Sequence, residues 1–239
     1  MYDTDAIQSS DLTYVRKVYL WFFVGVLAAA VAAWTSINLG LPETIMVSGQ
    51  PTAVPPLVAR VLEHPVITIL TALGLTFIAG LFRKTPPINA IAYFTLTPLL
   101  GLIMGPSIWA AEVMAHRDQT LSGHPVRDAL FLTVAAFGSL TGYVFVSKKD
   151  FFAWGGFLMS GLWVLIVASI LGIFIGSSVL DLALASVEVI LFLGFVLYDT
   201  SKILRGPQDD AIGDALNLFL DAANLFLDIL RILTATKKD

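Results

Sequence analysis

The chain has 239 residues, 57% of them hydrophobic and only 13% charged, with a mean hydropathy of +0.83 and a formal net charge of −4. A soluble domain carries about 25% charged and 45–50% apolar residues, so an ordinary soluble enzyme is excluded; with no basic cluster, so is a nucleic-acid binder. Zero cysteines exclude a disulfide framework and Cys-ligated zinc.

The apolar excess is grouped into long uncharged runs, which predicts an all-α, multi-pass membrane protein. Residues 1–15 are polar and acidic, with Asp3, Asp5 and Asp11. That is the wrong sign for a signal peptide and is expected to form a short cytosolic arm ahead of one membrane domain, 16–239. Arg16 and Lys17 precede the first span, 18–38, where Trp21 and Trp34 sit like interfacial anchors. Residues 40–64 hold Pro42, Pro51, Pro55 and Pro56 and read as a loop. Its apolar patch, 54–62, is too short to span and is expected on the membrane surface.

The second span is 65–82, closed by Arg83, Lys84 and a Pro86-Pro87 turn. The third, 88–111, contains Pro98, Gly101, Gly105 and Pro106 and is expected to kink, as membrane helices buried in protein can. A polar loop, 112–128, follows, then a fourth span, 129–147, and a fifth, 151–175. Gly176, Ser177 and Ser178 turn the chain into a sixth span, 180–198, which carries Asp181 and Glu188 and ends at Asp199. Lys202, Arg205 and an acidic turn, 206–214, lead to the seventh, 215–233.

Asp214, Asn217, Asp221, Asn224, Asp228 and Arg231 recur there in steps of three and four, one stripe of a helix whose other faces are apolar. A carboxylate at the centre of a bilayer costs at least ~2.5–3.5 kcal/mol on insertion scales, so this stripe must face other helices, a partner or water. On the sixth span, Asp181, Glu188 and Asp199 return to nearly one azimuth at ~100° per residue, giving a second acidic stripe. Eight Lys and Arg (16, 17, 83, 84, 148, 149, 202, 205) fall on one side of the seven spans and six (60, 117, 127, 231, 237, 238) on the other. The excess places the N-terminus in the cytosol and the C-terminus outside.

Soluble-enzyme motifs are missing: no Walker loop, G-x-S-x-G, H-E-x-x-H or G-x-G-x-x-G occurs. The Gly-x-Gly-Asp signature of intramembrane aspartyl proteolysis is also absent. Catalysis is therefore not expected. Glu112, His116 and His124 are the conceivable zinc set, though solvated loop histidines are far commoner. Asp199 and Asp221 are the stronger pair. A short turn joins their helices, which predicts antiparallel neighbours with both carboxyls at similar depth. Adjacent carboxyls in a low-dielectric site cannot both ionise cheaply and release their protons as a coupled pair. Such a pair senses pH and, deprotonated, offers oxygens suited to Ca²⁺. Arg83, on the same side, is the candidate latch that neutralises it; the alternative is a topology anchor.

Three stretches resemble the Bax inhibitor-1 (TMBIM) family in its bacterial branch. Residues 194–203, Gly-Phe-Val-Leu-Tyr-Asp-Thr-Ser-Lys-Ile, are similar to its Tyr-Asp-Thr motif. Residues 216–226, Leu-Asn-Leu-Phe-Leu-Asp-Ala-Ala-Asn-Leu-Phe, are similar to its seventh-helix signature, Leu-x-Leu-Tyr-Leu-Asp-x-x-Asn-Leu-Phe. Residues 147–151 with Phe157-Leu158 look like its loop after helix four. The likeness runs from about Tyr14 to Leu233. It implies seven helices with six surrounding the C-terminal one, and a pH-sensitive Ca²⁺ leak gated by two aspartates, here Asp199 and Asp221, with Arg83 as latch. Glu188 and Asp228 are acids the family pattern does not include, and with Asn217 and Asn224 they are candidates for an extended ion path.

The expected function is thus a pH-sensitive Ca²⁺ leak in a bacterial inner membrane, needing no cofactor. Its partners are lipid, protons and Ca²⁺ as permeant ion, tentatively held by Asp199 and Asp221. The alternative is a regulatory protein acting on a membrane protease or another membrane partner. Proton-coupled transport is a third reading, but inverted repeats are not apparent.

Overall fold

The computed structural model describes residues 4–47, 49–117, 124–147 and 149–235. Of the residues singled out above, Asp3, Lys148, Lys237 and Lys238 lie outside these, as do the side chains of Asp5, Asp11, His116 and Arg117. In chain order the elements are α1 (Thr4–Asn38), β1 (Glu43–Val47), β2 (Gln50–Val54), α2 (Pro56–Glu63), α3 (Pro65–Leu81), α4 (Ile88–Arg117), α5 (Pro125–Ser147), α6 (Gly155–Ile175), α7 (Ser178–Arg205) and α8 (Ala211–Ala235). A 3-10 turn, Phe152–Trp154, precedes α6. The chain forms two compact units, one of residues 1–16, 111–208 and 217–239, the other of 17–110 and 209–216.

Among the described residues, five helices are long and apolar enough to cross a membrane: α1, α4, α5, α6 and α7. The pair α2–α3, bent by 91°, brings the number to six if it counts as one span. The bend has a local cause: Pro65 has no N–H to continue α2 and starts α3 instead. At 25 residues α8 is also long enough, but its acids and Arg231 keep it from reading as a simple apolar span.

Several element bounds differ from those expected. The arm at 1–15 is helical from Thr4 and runs into the first span, because no Gly or Pro interrupts residues 4–24. The loop at 40–64 contains a β-hairpin pairing Glu43 with Val54 and Val47 with Gln50. Its two-residue turn uses Gly49 at φ +78, a conformation that favours glycine. Within the apolar patch at 54–62, Val54, Val58 and Ala59 are buried with Ile37, Ile45, Val47 and Trp109 around them. The polar loop at 112–128 is shorter, since α4 continues to Arg117 and α5 begins at Pro125. Likewise α7 runs to Arg205, so Asp199 sits inside a helix and not at its end. Lys202 and Arg205 occupy its last turn, the favourable end of the helix dipole for cations.

In the unit containing 17–110, α1 and α4 pack through small residues. A Cβ at Gly101 would overlap the Ala29 backbone, and one at Gly105 would strike the Ser36 hydroxyl. The Gly101-x-x-x-Gly105 spacing is what brings two membrane helices this close. Tyr93 donates from its hydroxyl to the Trp21 carbonyl at 2.6 Å and closes the same seam. Pro98 and Pro106 are accommodated inside α4.

In the other unit, α6 and α7 are joined by Gly176 in the left-handed conformation, followed by Ser177, whose hydroxyl caps Leu180 N. Leu158, Leu165, Leu191, Phe192, Phe195 and Leu225 form its core. Gly161 and Gly194 leave room there for Leu191 and Leu158. Large apolar side chains of α5 and α6, such as Phe131, Val146, Phe157 and Phe174, face outward, as lipid contact requires. By contrast no residue of α8 is exposed.

Candidate functional site

Helix α8 is set by its first turn. Asp210 stands at the N-cap and accepts from Gly213 N at 3.0 Å through Oδ1. Its other oxygen takes the Arg83 Nε–H, and Arg83 Nη2 lies 3.7 Å from Asp214 Oδ1. Both acids are buried, whereas the Arg83 side chain is 36% exposed. A Cβ at Gly213 would collide with the Asp210 carboxyl and crowd Arg83 Nε, which is why glycine stands there. Just before the helix, exposed Lys84 bonds Asp209 at 2.6 Å, and this ammonium holds the Asp209 carboxyl below the usual carboxylate range.

Two turns further, Asp221 meets Asp199 of α7. Each is 5% exposed, and the two carboxyls lie in hydrogen-bond contact. A hydrogen bond between carboxyls requires one proton between them. Asn217 adds a donor, its Nδ2 lying 3.4 Å from Asp199 Oδ1, while Asp221 Oδ2 is buried with no donor. Later in α7, Ser201 accepts from Phe151 N at 3.0 Å, and Arg205 donates to the Val144 carbonyl at 3.0 Å. These bonds tie the last turns of α7 to the start of the α6 segment and to α5.

A second carboxyl contact lies further along the same pair of helices. Asp228 of α8 is in hydrogen-bond contact with Glu188 of α7. Glu188 Oε1 accepts from Ser169 Oγ at 2.7 Å and Oε2 from Arg231 Nη1 at 3.1 Å. Arg231 Nη1 also lies 3.9 Å from Asp181 Oδ1. The later residue of α8 thus meets the earlier residue of α7, so the two helices are antiparallel with their polar stripes facing.

The predicted residues are therefore sorted by partner. Asp199 and Asp221 come together, and Asn217 joins them. Glu188 and Asp228, placed by sequence on separate stripes, form a contact of their own. Asn224 turns its amide to the Leu220 carbonyl of its own helix at 2.8 Å, a local bond that gives it no site partner. Arg83, expected against Asp199 and Asp221, has Asp210 and Asp214 as its ion-pair partners. Asp210 went unnoticed in the sequence; the signal was an Asp three residues before Gly213 at the head of an apolar periodic run. Ser169 carried no signal at all. Of the conceivable zinc set, His124 is exposed, and no group of three or more His, Asp or Glu able to hold a metal ion occurs among the described residues.

Residues 12–238 match the family model described as "Inhibitor of apoptosis-promoting Bax1". A membrane protein of Vibrio cholerae is 30% identical over 219 residues, covering 92% of this chain and 87% of its own length. Protein lifeguard 4 of Mus musculus is 34% identical over 175 residues, 72% of this chain and 69% of its own. Bax inhibitor 1 of Schizosaccharomyces pombe is 36% identical over 175 residues, 71% and 62% respectively. With nearly the whole chain matched, and with the acidic helix pair inside the matched region, this multi-pass membrane protein belongs to the Bax inhibitor family.

Proposed function

We propose that the protein is a pH-sensitive leak for Ca²⁺, crossing a bacterial inner membrane with α8 as its seventh span and the N-terminus in the cytosol. The observation that carries this is the buried carboxyl contact between Asp199 and Asp221 on facing helices. While a proton bridges the two, they hold α7 and α8 together. Once the proton leaves, two carboxylates repel at close range in low dielectric, which loosens the helix contact and offers a passing cation clustered oxygens. Two carboxyls and one amide make a transient stop, not a resident metal site. Arg83 acts on the same helix through its first turn: clamping Asp210 and Asp214, it holds the head of α8 in the closed arrangement. Conduction, not catalysis, is the activity proposed.

The test is Ca²⁺ flux into proteoliposomes between about pH 6 and pH 8, where a coupled carboxyl pair can titrate. Flux should rise with pH in the wild type, and the Asp199→Asn/Asp221→Asn variant should lose that dependence. Flux that ignores pH, or that is unchanged in the double variant, removes the idea.

A second reading, regulation of another membrane protein, is favoured by the printed names of relatives, among them Bax inhibitor 1 and a Golgi anti-apoptotic protein of vaccinia virus. It predicts co-purification of a specific partner from native membranes, abolished by deleting residues 1–15.

A further inference from the structure

Glu188 is 13% exposed and both of its oxygens are occupied, one by the Ser169 hydroxyl and one by the Arg231 guanidinium. Asp228, 5% exposed, touches Glu188, and a hydrogen bond between two carboxyls requires one proton; with Ser169 and Arg231 already donating to Glu188, that proton is placed on Asp228. Its Oδ2 is buried with no hydrogen-bond partner. An orphaned carboxyl oxygen in such a place is costly unless something occupies it part of the time. With Asp228 protonated, the cluster sums to zero: Glu188 at −1, Arg231 at +1, Asp228 neutral.

The ionisable surroundings on the helices that form this cluster are few. Helix α6 brings Ser169 and has no ionisable residue. Helix α7 brings Asp181 and Glu188, and α8 brings Arg231. On α5, packed against α7, Arg127 and Asp128 bond each other at the start and Tyr143 lies near the other end. If Asp228 loses its proton, Arg231 is the cation among the described residues that meets the added negative charge. Arg231 is 41% exposed and already within 3.9 Å of Asp181, so it can turn toward that acid and leave Glu188 and Asp228 as two carboxylates facing one orphaned position.

We propose that Glu188, Asp228 and Ser169 form a second cation stop, in which the proton on Asp228 exchanges for a small hard cation while Arg231 moves to Asp181. The exchange balances: one proton is released to solvent for each cation bound, and no bond to carbon is made or broken. The proposal extends the leak reading by adding a site about 10 Å along α8 from Asp221, at ~1.5 Å per residue. It does not depend on conduction being observed.

The experiment uses the full chain in phosphatidylcholine nanodiscs, carrying Asp199→Asn/Asp221→Asn so that the first pair is silent. Infrared difference spectra at pH 7 with and without Ca²⁺ read the protonated carboxyl band, and a pH indicator reads proton release. Ca²⁺ should abolish one carboxylic-acid band and release about one proton per cation. Adding Asp228→Asn, which keeps the shape of the protonated acid, should remove both signals. Ser169→Ala, a small change that does not threaten the fold, should raise the Ca²⁺ needed by about tenfold through loss of one oxygen ligand. Absence of the band, a band indifferent to Ca²⁺, or signals that persist in Asp228→Asn each overturn the proposal. Failure of the leak reading would appear separately, as absent flux in wild-type liposomes.

Discussion

The clamp on the head of α8 can be taken apart one interaction at a time. Asp210 does two things: Oδ1 caps Gly213 N at 3.0 Å, and Oδ2 pairs with Arg83. Losing an N-cap costs about 1 kcal/mol. Opposite charges ~4 Å apart at an effective dielectric of ~20 attract by about 4 kcal/mol. Solvent at the 36% exposed Arg83 reduces this to a net of about 1–2 kcal/mol. Asp210→Asn keeps a competent cap and removes only the charge, whereas Asp210→Ala removes both. For a chain of this length, about 2–4 °C per kcal/mol places Asp210→Asn roughly 2–8 °C and Asp210→Ala roughly 4–12 °C below wild type by thermal unfolding in detergent. If the clamp also holds a closed state, each 1.4 kcal/mol lost multiplies a rare open fraction about tenfold. Asp210→Asn and Arg83→Gln should then each raise Ca²⁺ flux at pH 6 several-fold. Because the two residues form one interaction, the double variant should leak no more than either single one. Additive increases in the double variant would refute the clamp, as would lowered melting temperatures with unchanged flux.

Packing, helix capping and a surface ion pair each supply a further test. Gly101→Ala should cost about 1–3 kcal/mol, the usual range for overpacking, because the new methyl meets the Ala29 backbone. Gly138→Ala, with open space around it, should be neutral or stabilising by about 0.5–1 kcal/mol; the difference in melting temperature between the two checks the α1–α4 seam. Ser177→Ala should cost about 1 kcal/mol by removing the cap on Leu180 N, read as faster amide exchange in the first turn of α7. Asp209→Asn should leave the melting temperature unmoved. The Asp209 carboxyl is held low by Lys84, so any stabilisation is present above the ordinary carboxylate range and lost as pH falls through the lowered value, but both side chains are more than half exposed and solvent screens the pair.

What the sequence made legible was periodic. Long apolar runs gave the spanning helices α1, α4, α5, α6 and α7, although α1, α4 and α7 continue beyond those runs into polar residues, and Gly176 with Ser177 marked the α6–α7 turn because each has a distinct backbone role there. The hairpin was hidden because Pro51 reads as loop chemistry, although a two-stranded ribbon tolerates a proline that cannot donate. Asp199 and Asp221 were legible as a pair because a short turn forces their helices together. The partners of Arg83 were not. A cation after one helix can reach any acid within ~6–7 Å of its Cα, and sequence order alone did not separate Asp210 and Asp214 from Asp221 one or two turns on.

The acids of α8 also differ in how they are neutralised, and that difference bears on what the helix can do. Asp210 and Asp214 share one guanidinium, Arg83; Asp228 shares Glu188 with Arg231. Asp221 meets another carboxyl, that of Asp199, with the amide of Asn217 beside it. A fixed cation holds its charge at any physiological pH, but a shared proton does not, which is why the proposed leak assigns its pH response to Asp199 and Asp221. A structural polar seam would be served as well by an Asn–Asn or Ser–Asn contact, which satisfies hydrogen bonds without ionising. Substituting Asp199→Asn and Asp221→Asn together therefore separates the two accounts: a seam should keep its thermal stability and lose nothing else, while a proton-operated contact should keep its stability and lose the pH dependence of flux.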